Sequence, residues 1–357
     1  TRVLQDGEYR LAKNRIEVVN DKDFNTGSLN AYVKQKPTGW SPFIYVYNWM
    51  NGKGKGWDKF VSKVGKAPVI YDPSMVDNSI ESIDSHLEYL GYFNSKTTSE
   101  IDVKKKNVSV LYKVHLGERI PIRDIEMTLP DRGTFRQAFI SDTSRMSIKP
   151  GSFLSESSLE AESDRSAKAM RDIGFYTFNK NHFFFEADTL SYPGSAILKL
   201  TINEYTRNEL ARDAKPIRKF FINDVKISYP KSMKVNEKVL RNINLIKPGE
   251  IYNEEIINNT YSRFSALKMF SSVNVGMTQV DTNLVDCEIS LSQSKTQGFK
   301  VNLEASTNSS GLLGVSPQLS YYHKNIFRGG EMLNLSFMGN FQFKLNDDVH
   351  SNEFGVS

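Results

Sequence analysis

The sequence predicts an α+β protein, with three tandem β-α-α-β-β modules followed by the first strands of a truncated transmembrane β-barrel. Three observations lead there. One helix-ending string recurs, as "HLEYLGYFNS" at 86–95, "AMRDIGFYTF" at 169–178 and, more distantly, "RFSALKMFSS" at 263–272. Each copy is followed by two short runs that alternate apolar and polar residues around a turn. After Gln297 the texture changes to longer alternating runs with no helical periodicity.

The first copy shows its helix most fully. Asp72-Pro73 supplies an N-cap and a proline at the first helical position, and Gly91 stands where a C′ glycine belongs. Between them Val76, Ile80, Ile83, Leu87 and Leu90 form one apolar stripe. "TTSEIDV", the turn "KKKN" and "VSVLYKVHL" then read as a hairpin. In the second copy Leu159, Met170 and Ile173 occupy the stripe, and "HFFFEADT", "SYPG" and "SAILKLTINE" give the hairpin. In the third, Ile257, Phe264 and Leu267 precede "SSVNVGMTQ" and "NLVDCEISLS". Ser163, Ser166 and Thr260 interrupt the second and third stripes with polar groups. Upstream of each stripe lie a strand ("RIEVVND", "IRDIEMTL", "FINDVKISYP") and a shorter helix stopping at Lys-Pro ("QKPTG", "IKPGS", "IKPGE"). The module boundaries expected are 1–117, 118–210 and 214–296, with an aromatic and basic insertion at about 38–71 in the first.

The tail, 298–357, alternates over "GFKVNLEAS" and "EMLNLSFMGNFQF". A soluble sandwich and a membrane barrel with apolar residues outside both give this period of two. "NIFRGGE" reads as the turn between two such strands, since it lacks the spacing and the Lys-Ser/Thr of a phosphate-binding loop. The chain stops at "NEFGVS", entering a fourth strand, whereas closed membrane barrels need at least about 8. A fragment is therefore expected, and the start at Thr1 without Met suggests processing or trimming.

Composition narrows the function classes. Net charge is +5, too small for the usual nucleic-acid footprint, so no nucleic-acid partner is expected. Residues 1–117 hold 17 basic and 13 acidic side chains, so most of the surplus is local. The single cysteine, Cys287, excludes an internal disulfide and alternates with Val285, Ile289 and Leu291 on the buried side of a strand. Five histidines form no pair at metal-ligand spacing, and neither G-x-S-x-G nor H-E-x-x-H occurs. No enzyme activity, cofactor or metal is expected. No apolar run approaches the roughly 18 residues of a membrane helix.

The order of elements with its "GYF"-type helix end resembles the polypeptide-transport-associated (POTRA) domain. "DGEYRLAKNRIEV", "VKQKP" and "GKAPVIYDPSMVDNSIESIDSHLEYLGYF" are similar to the N-terminal part of TamA-like outer-membrane proteins, closest to the lipoprotein type called TamL in Bacteroidetes. "GVSPQLSYYHKNIFRGGEMLNLSFMGN" resembles the barrel strands that follow the last POTRA domain in the BamA/TamA superfamily. The resemblance implies an outer-membrane protein with residues 1–297 in the periplasm. It also implies a TamB-like periplasmic partner, client polypeptides or lipids, and a lipidated cysteine a few residues before the "GEY" string; no such cysteine is in this sequence, so the anchor rests on the resemblance alone. A core barrel-assembly subunit of BamA type, a two-partner secretion pore and a purely structural adapter stay open.

Two sets of residues are candidates for contact. Trp40, Trp49 and Trp57, with Lys53 and Lys55, place aromatics beside positive charge, as a membrane interface requires; packing onto the first module as extra cover is the alternative. Ser272, Val273, Asn274 and Val275 open the third hairpin in a stretch, 270–280, with neither charge nor proline. The resemblance puts that strand at a sheet edge, where an extended chain can add to it, or where a following element covers it. A proline at Asn274 is expected to block such pairing.

Overall fold

A computed structural model describes residues 4, 7–38, 59, 63, 67–130, 133–307, 312–344 and 347–356. The chain divides into two compact units. One comprises Thr1–Asp131, Thr143–Arg165 and Lys180–Ala214; the other comprises Arg132–Asp142, Ser166–Asn179 and Lys215–Ser357.

Three small sheets share one topology. The first contains β1 (Arg10–Val18), β2 (Lys96–Lys104) and β3 (Asn107–His115) in the order β1-β3-β2. The second contains β4 (Ile122–Thr128), β5 (Phe183–Asp188) and β6 (Ala196–Ile202) in the order β4-β6-β5. The third contains β7 (Phe221–Ser228), β8 (Phe270–Gln279) and β9 (Leu284–Gln293) in the order β7-β9-β8. In each, the second hairpin strand is central, parallel to the first strand and antiparallel to the hairpin's opening strand, which lies at the edge.

The long helices fall where the stripes put them: α1 (Pro73–Tyr89), α3 (Glu156–Arg171) and α5 (Glu254–Ala266), with α2 (Thr134–Asp142) and α4 (Glu237–Ile243) as the shorter partners. Asp72 caps α1 by accepting the Ser74 N–H at 2.9 Å, and Asn253 caps α5 by accepting that of Ile256 at 3.0 Å. In the first repeat the shorter helix is only a 3-10 turn, Ser28–Ala31. Its lead-in, "DKDFNTG", is rich in residues that bond their own backbone, and Asn25 takes the Gly27 N–H. Ile173 also departs from expectation, being exposed, because α3 ends at Arg171 and leaves it beyond the helical face.

Of the three polar interruptions, Thr260 belongs to a recurring contact, which Ser79 and Glu162 make on the other two long helices. Two residues before each Lys-Pro, a backbone N–H points at the long helix: that of Lys34 reaches Ser79 Oγ at 3.0 Å, that of Ser147 reaches Glu162 Oε2 at 2.8 Å, and that of Leu245 reaches Thr260 Oγ1 at 3.3 Å. All three acceptors are buried. A buried polar group without a partner costs about 1–3 kcal/mol, and these acceptors are satisfied by the end of the preceding loop. The Lys-Pro-Gly turn then pins the first strand. Gly151 N–H donates to the Ile122 carbonyl and Gly249 N–H to that of Ile222, each at 2.7 Å. In the first repeat this place is taken after the insertion, where the Leu11 N–H reaches the Val69 carbonyl at 2.8 Å and the Tyr71 N–H reaches that of Tyr9 at 2.7 Å.

Cys287 lies on β9 among Phe220, Val285, Ile289 and Phe264 in the core of the third repeat. Burial pushes its thiol up to about 11, which disfavours the reactive thiolate. Native chain at pH 8 is therefore expected to resist an aromatic disulfide reagent over hours and to react within minutes in denaturant. Fast labelling of the native chain would contradict this packing.

The last four strands, β10 (Gln297–Thr307), β11 (Leu312–Lys324), β12 (Met332–Lys344) and β13 (Asp347–Val356), form an open antiparallel meander. The register aligns Val301, Leu319, Phe337 and Val356 across all four strands. All four are exposed, as are Phe299, Leu303 and Phe354. The alternate positions pair polar groups, with Ser320 and Ser336 hydrogen-bonded at 2.9 Å. Among the described residues no helix is long and apolar enough to cross a membrane, which says nothing of strands.

Candidate functional site

Sheet edges are where this fold can receive another chain, and the three opening hairpin strands differ in how they are protected. β2 carries Lys96, Glu100, Asp102 and Lys104, with the Glu100 and Asp102 carboxylates paired to Lys113 and Lys104 at 2.5 and 2.9 Å. β5 carries Glu186 and Asp188, and its outward Phe183 carbonyl accepts from Arg207 Nε at 3.1 Å. Ser191, bonding through both its hydroxyl and its N–H, holds the Asp188 carboxyl below the usual range, so this edge stays charged. On the opposite edges, Asp124 and Asp224 each accept the N–H of the following residue at 2.8 Å. β8 has neither a charge nor a proline.

The phase of the β8–β9 ladder decides which groups of β8 are available. The Val280 N–H donates to the Leu284 carbonyl at 3.0 Å. Because antiparallel pairs alternate between bonded and non-bonded, Thr278, Gly276, Asn274 and Ser272 exchange bonds with Asp286, Glu288, Ser290 and Ser292. Val273, Val275 and Met277 therefore aim their backbone groups outward. Of the four residues singled out from sequence, Val273 and Val275 present outward pairing groups, unbonded among the described residues, and half-buried side chains, while Ser272 and Asn274 present exposed side chains and inward backbone. A proline at Asn274 would thus break the ladder to β9 rather than the outer edge. Ser271, the extra residue of a bulge between Phe270 and Ser272, ends the regular edge at one side.

At the other side stands a residue that the sequence reading did not single out. Tyr176 Oη donates to the outward Met277 carbonyl at 3.3 Å. Its ring packs edge-on against Phe220 and Tyr252, with centroids 5.4 and 4.9 Å away. Burial, first, then the nearby Glu254 carboxylate push the Tyr252 phenol well above its ordinary value. Tyr176 belongs to the recurring helix-end string, which suggests what that string does. At Gly174, where φ is +113°, an added Cβ would lie 2.7 Å from Ile251 Cγ2. The Gly174 carbonyl accepts the Phe220 N–H at 2.9 Å, Lys219 lies over the Phe175 ring at 5.6 Å, and Arg171 pairs with Glu254 at 3.0 Å.

The first copy is built alike. At Gly91, φ +86°, an added Cβ would overlap the Leu154 carbonyl oxygen and sit 2.9 Å from Ser155 Cβ. Arg119 lies over Tyr92 at 5.1 Å, and the Phe93 N–H reaches the Glu118 carbonyl at 3.0 Å. So glycine admits the next repeat's turn, and the aromatic after it receives a cation from the connecting segment. The third copy has no glycine, and there the close approach comes from the other partner. Gly330, in the turn between β11 and β12, leaves room for only 3.1 Å between its missing Cβ and Leu267, and 3.3 Å to Met269. The Asn236 N–H donates to the Arg328 carbonyl and Asn325 Nδ2 to that of Lys234, at 2.9 and 2.7 Å. This turn is the "NIFRGGE" string.

Trp40, Trp49, Trp57, Lys53 and Lys55 lie outside the described residues. Among the described residues, no group of three or more His, Cys, Asp or Glu side chains is placed to hold a metal ion.

Residues 13–117 match the POTRA family model, described as surface antigen variable number repeat. No curated protein matches the chain. Similar solved structures include POTRA domains 3–5 of Haemophilus influenzae BamA, with 11% identity and a TM-score of 0.44 over 82% of this chain and 100% of that one. Haemophilus ducreyi BamA lacking POTRA domains 1–3 gives 10% and 0.40, over 66% of this chain and 46% of that one. CdiB from Acinetobacter baumannii gives 13% and 0.34, over 67% and 41%. The chain thus spans less than half the length of the last two. The family match covers residues 13–117, and the strand, long helix and hairpin of that stretch recur twice more in the α+β fold of the chain.

Proposed function

We propose that the chain is the periplasmic arm, with the first membrane strands, of an outer-membrane translocation and assembly protein of TamA-like type. Residues 1–297 form the arm, as modules 1–117, 118–210 and 214–296, and 298–357 enter the outer membrane. The arm docks an extended segment of a TamB-like periplasmic partner, or of a client chain, by strand addition. The observation that carries this reading is the β8 edge, uncharged and free of proline, with the backbone groups of Val273 and Val275 aimed outward. The POTRA match of residues 13–117 and the exposed apolar face of the last four strands support it.

The test uses the full chain in detergent and a fluorescein-labelled peptide, GFKVNLEAS, the chain's own residues 298–306. Its period of two suits an edge whose one face is apolar and the other polar. Val273→Pro and Val275→Pro remove outward donors that β9 does not use, a position edge strands tolerate. Each is expected to weaken binding, read by anisotropy, about tenfold with circular dichroism unchanged. Asn274→Pro is expected to lower stability instead, because it removes an inward donor. Wild-type affinity in both valine variants would exclude β8 as the docking edge.

A further inference from the structure

We infer that the turn between β11 and β12 is a membrane-surface anchor, its apolar tip and surrounding cations contacting the phosphate headgroups of an anionic lipid leaflet. This rests on the reading of 298–357 as membrane strands and adds to it the place where the leaflet surface meets the chain.

The tip is exposed by construction. Glu331 Oε2 accepts the N–H groups of Phe327 and Gly329 at 3.2 and 3.0 Å, and Asn325 Oδ1 accepts that of Gly330 at 3.0 Å. Outside the turn, Lys234 and Asn236 hold it through their own backbone. Yet this bonded turn leaves Phe327 78% exposed, with Ile326 and Met332 exposed beside it. Apolar surface held out from a rigid turn fits an apolar or interfacial neighbour.

Its place on the sheet says which. Register pairs Phe299, Tyr321 and Leu335 as the row of the apolar face nearest the turn. Leu335 lies three residues from Met332, about 10 Å of strand. In the same row the Tyr321 hydroxyl donates to Gln297 Oε1 at 2.9 Å, while its ring lies 5.2 Å from that of Phe299. A ring on the apolar side with a bonded hydroxyl is what a lipid boundary selects. The turn therefore lies just outside the apolar band.

Charge selects the headgroup. The turn, 324–331, and the segments that touch it, 234–236, 267–269 and 294–296, carry Lys234, Lys268, Lys295, Lys324 and Arg328. Their one carboxylate is Glu331, already bonded inside the turn. Leu267 and Met269, which flank Lys268, pack on Gly330, and the Thr296 carbonyl beside Lys295 accepts the Lys324 N–H at 2.7 Å. Lys268 and Lys295 are exposed, so this surplus meets solvent around the apolar tip.

The test places an environment-sensitive nitrobenzoxadiazole label on the full chain at Phe327→Cys or, as reference, at Val301→Cys; Cys287 is buried. Each protein is diluted from detergent into vesicles of phosphatidylcholine, alone or mixed equally with phosphatidylglycerol. The label at 301 is expected to brighten with both, and the label at 327 to brighten chiefly with the mixed vesicles. Adding Lys268→Gln or Lys295→Gln to the Phe327→Cys chain is expected to raise the mixed-vesicle concentration at half-brightening about fivefold for each cation removed. A label that brightens at 301 but stays dark at 327 overturns the anchor and leaves the membrane strands standing. Equal brightening at 327 with both vesicles, unmoved by either glutamine, also overturns it, since headgroup charge would then play no part. Brightening at 327 without vesicles as protein concentration rises gives the tip to a second copy and overturns it too. Labels dark at both positions overturn the membrane strands and the anchor together.

Discussion

Gly91→Ala is expected to destabilise the chain by about 3 kcal/mol. A side chain at φ +86° costs about 1 kcal/mol of backbone strain, and its Cβ would overlap the Leu154 carbonyl oxygen. That oxygen cannot swing aside like a side-chain tip. Its residue is held by the Leu154 N–H to the Ile120 carbonyl at 2.8 Å, beside the bridge between Pro121 and Phe153. Gly151→Ala is the control, because Gly151 has φ +92° and nothing within 4 Å of an added Cβ. It is expected to cost about 1 kcal/mol, from strain alone. Urea denaturation followed by circular dichroism gives both values. Equal costs would show that the close approach at Gly91 contributes nothing.

Glu162→Ala is expected to cost about 2–3 kcal/mol. The Glu162 side chain is 1% exposed, yet it sits on the inward stripe of α3, where a hydrophobic residue is the ordinary choice. Its carboxylate accepts from the Ser147 N–H at 2.8 Å, the Ser147 hydroxyl at 2.7 Å and Arg165 Nη2 at 2.6 Å. Alanine removes the acceptor of both the Ser147 N–H and its hydroxyl and opens a cavity where the carboxylate was. Glu162→Gln keeps one acceptor for that N–H and gives up the charge, and is expected to cost about half as much. The comparison is again a urea midpoint. If glutamine proves as harmful as alanine, the ion pair with Arg165 outweighs the loop anchor, and the likeness to Ser79 and Thr260 is one of position only.

Much of the architecture is readable along the chain because it follows from local rules. Asp72-Pro73 starts a helix, and the stripe Val76, Ile83 and Leu87 turns it inward. Alternation in "LVDCEISL" puts Val285, Cys287, Ile289 and Leu291 on one face. Such periods survive folding because a helix repeats every 3.6 residues and a strand every two, whatever packs on them. Element bounds were less legible. Ile173 fits the helical count but lies past the last turn, and "DKDFNTGSLNA" supports only a 3-10 turn where a helix was expected.

What the sequence by itself determined is therefore the threefold repeat, its apolar faces and the uncharged stretch 270–280. Only the tertiary structure decided that β8 lies at an edge, and that Val273 and Val275 face outward while Asn274 faces β9. It also decided that Ser79, Glu162 and Thr260 do the same work from helices of different sequence, and that Tyr176 reaches Met277 across 101 positions of chain. The physical reason is the range of each interaction. Hydrophobic periodicity is written into consecutive residues, whereas the phase of a ladder and the partner of a hydroxyl depend on which distant segment arrives beside them.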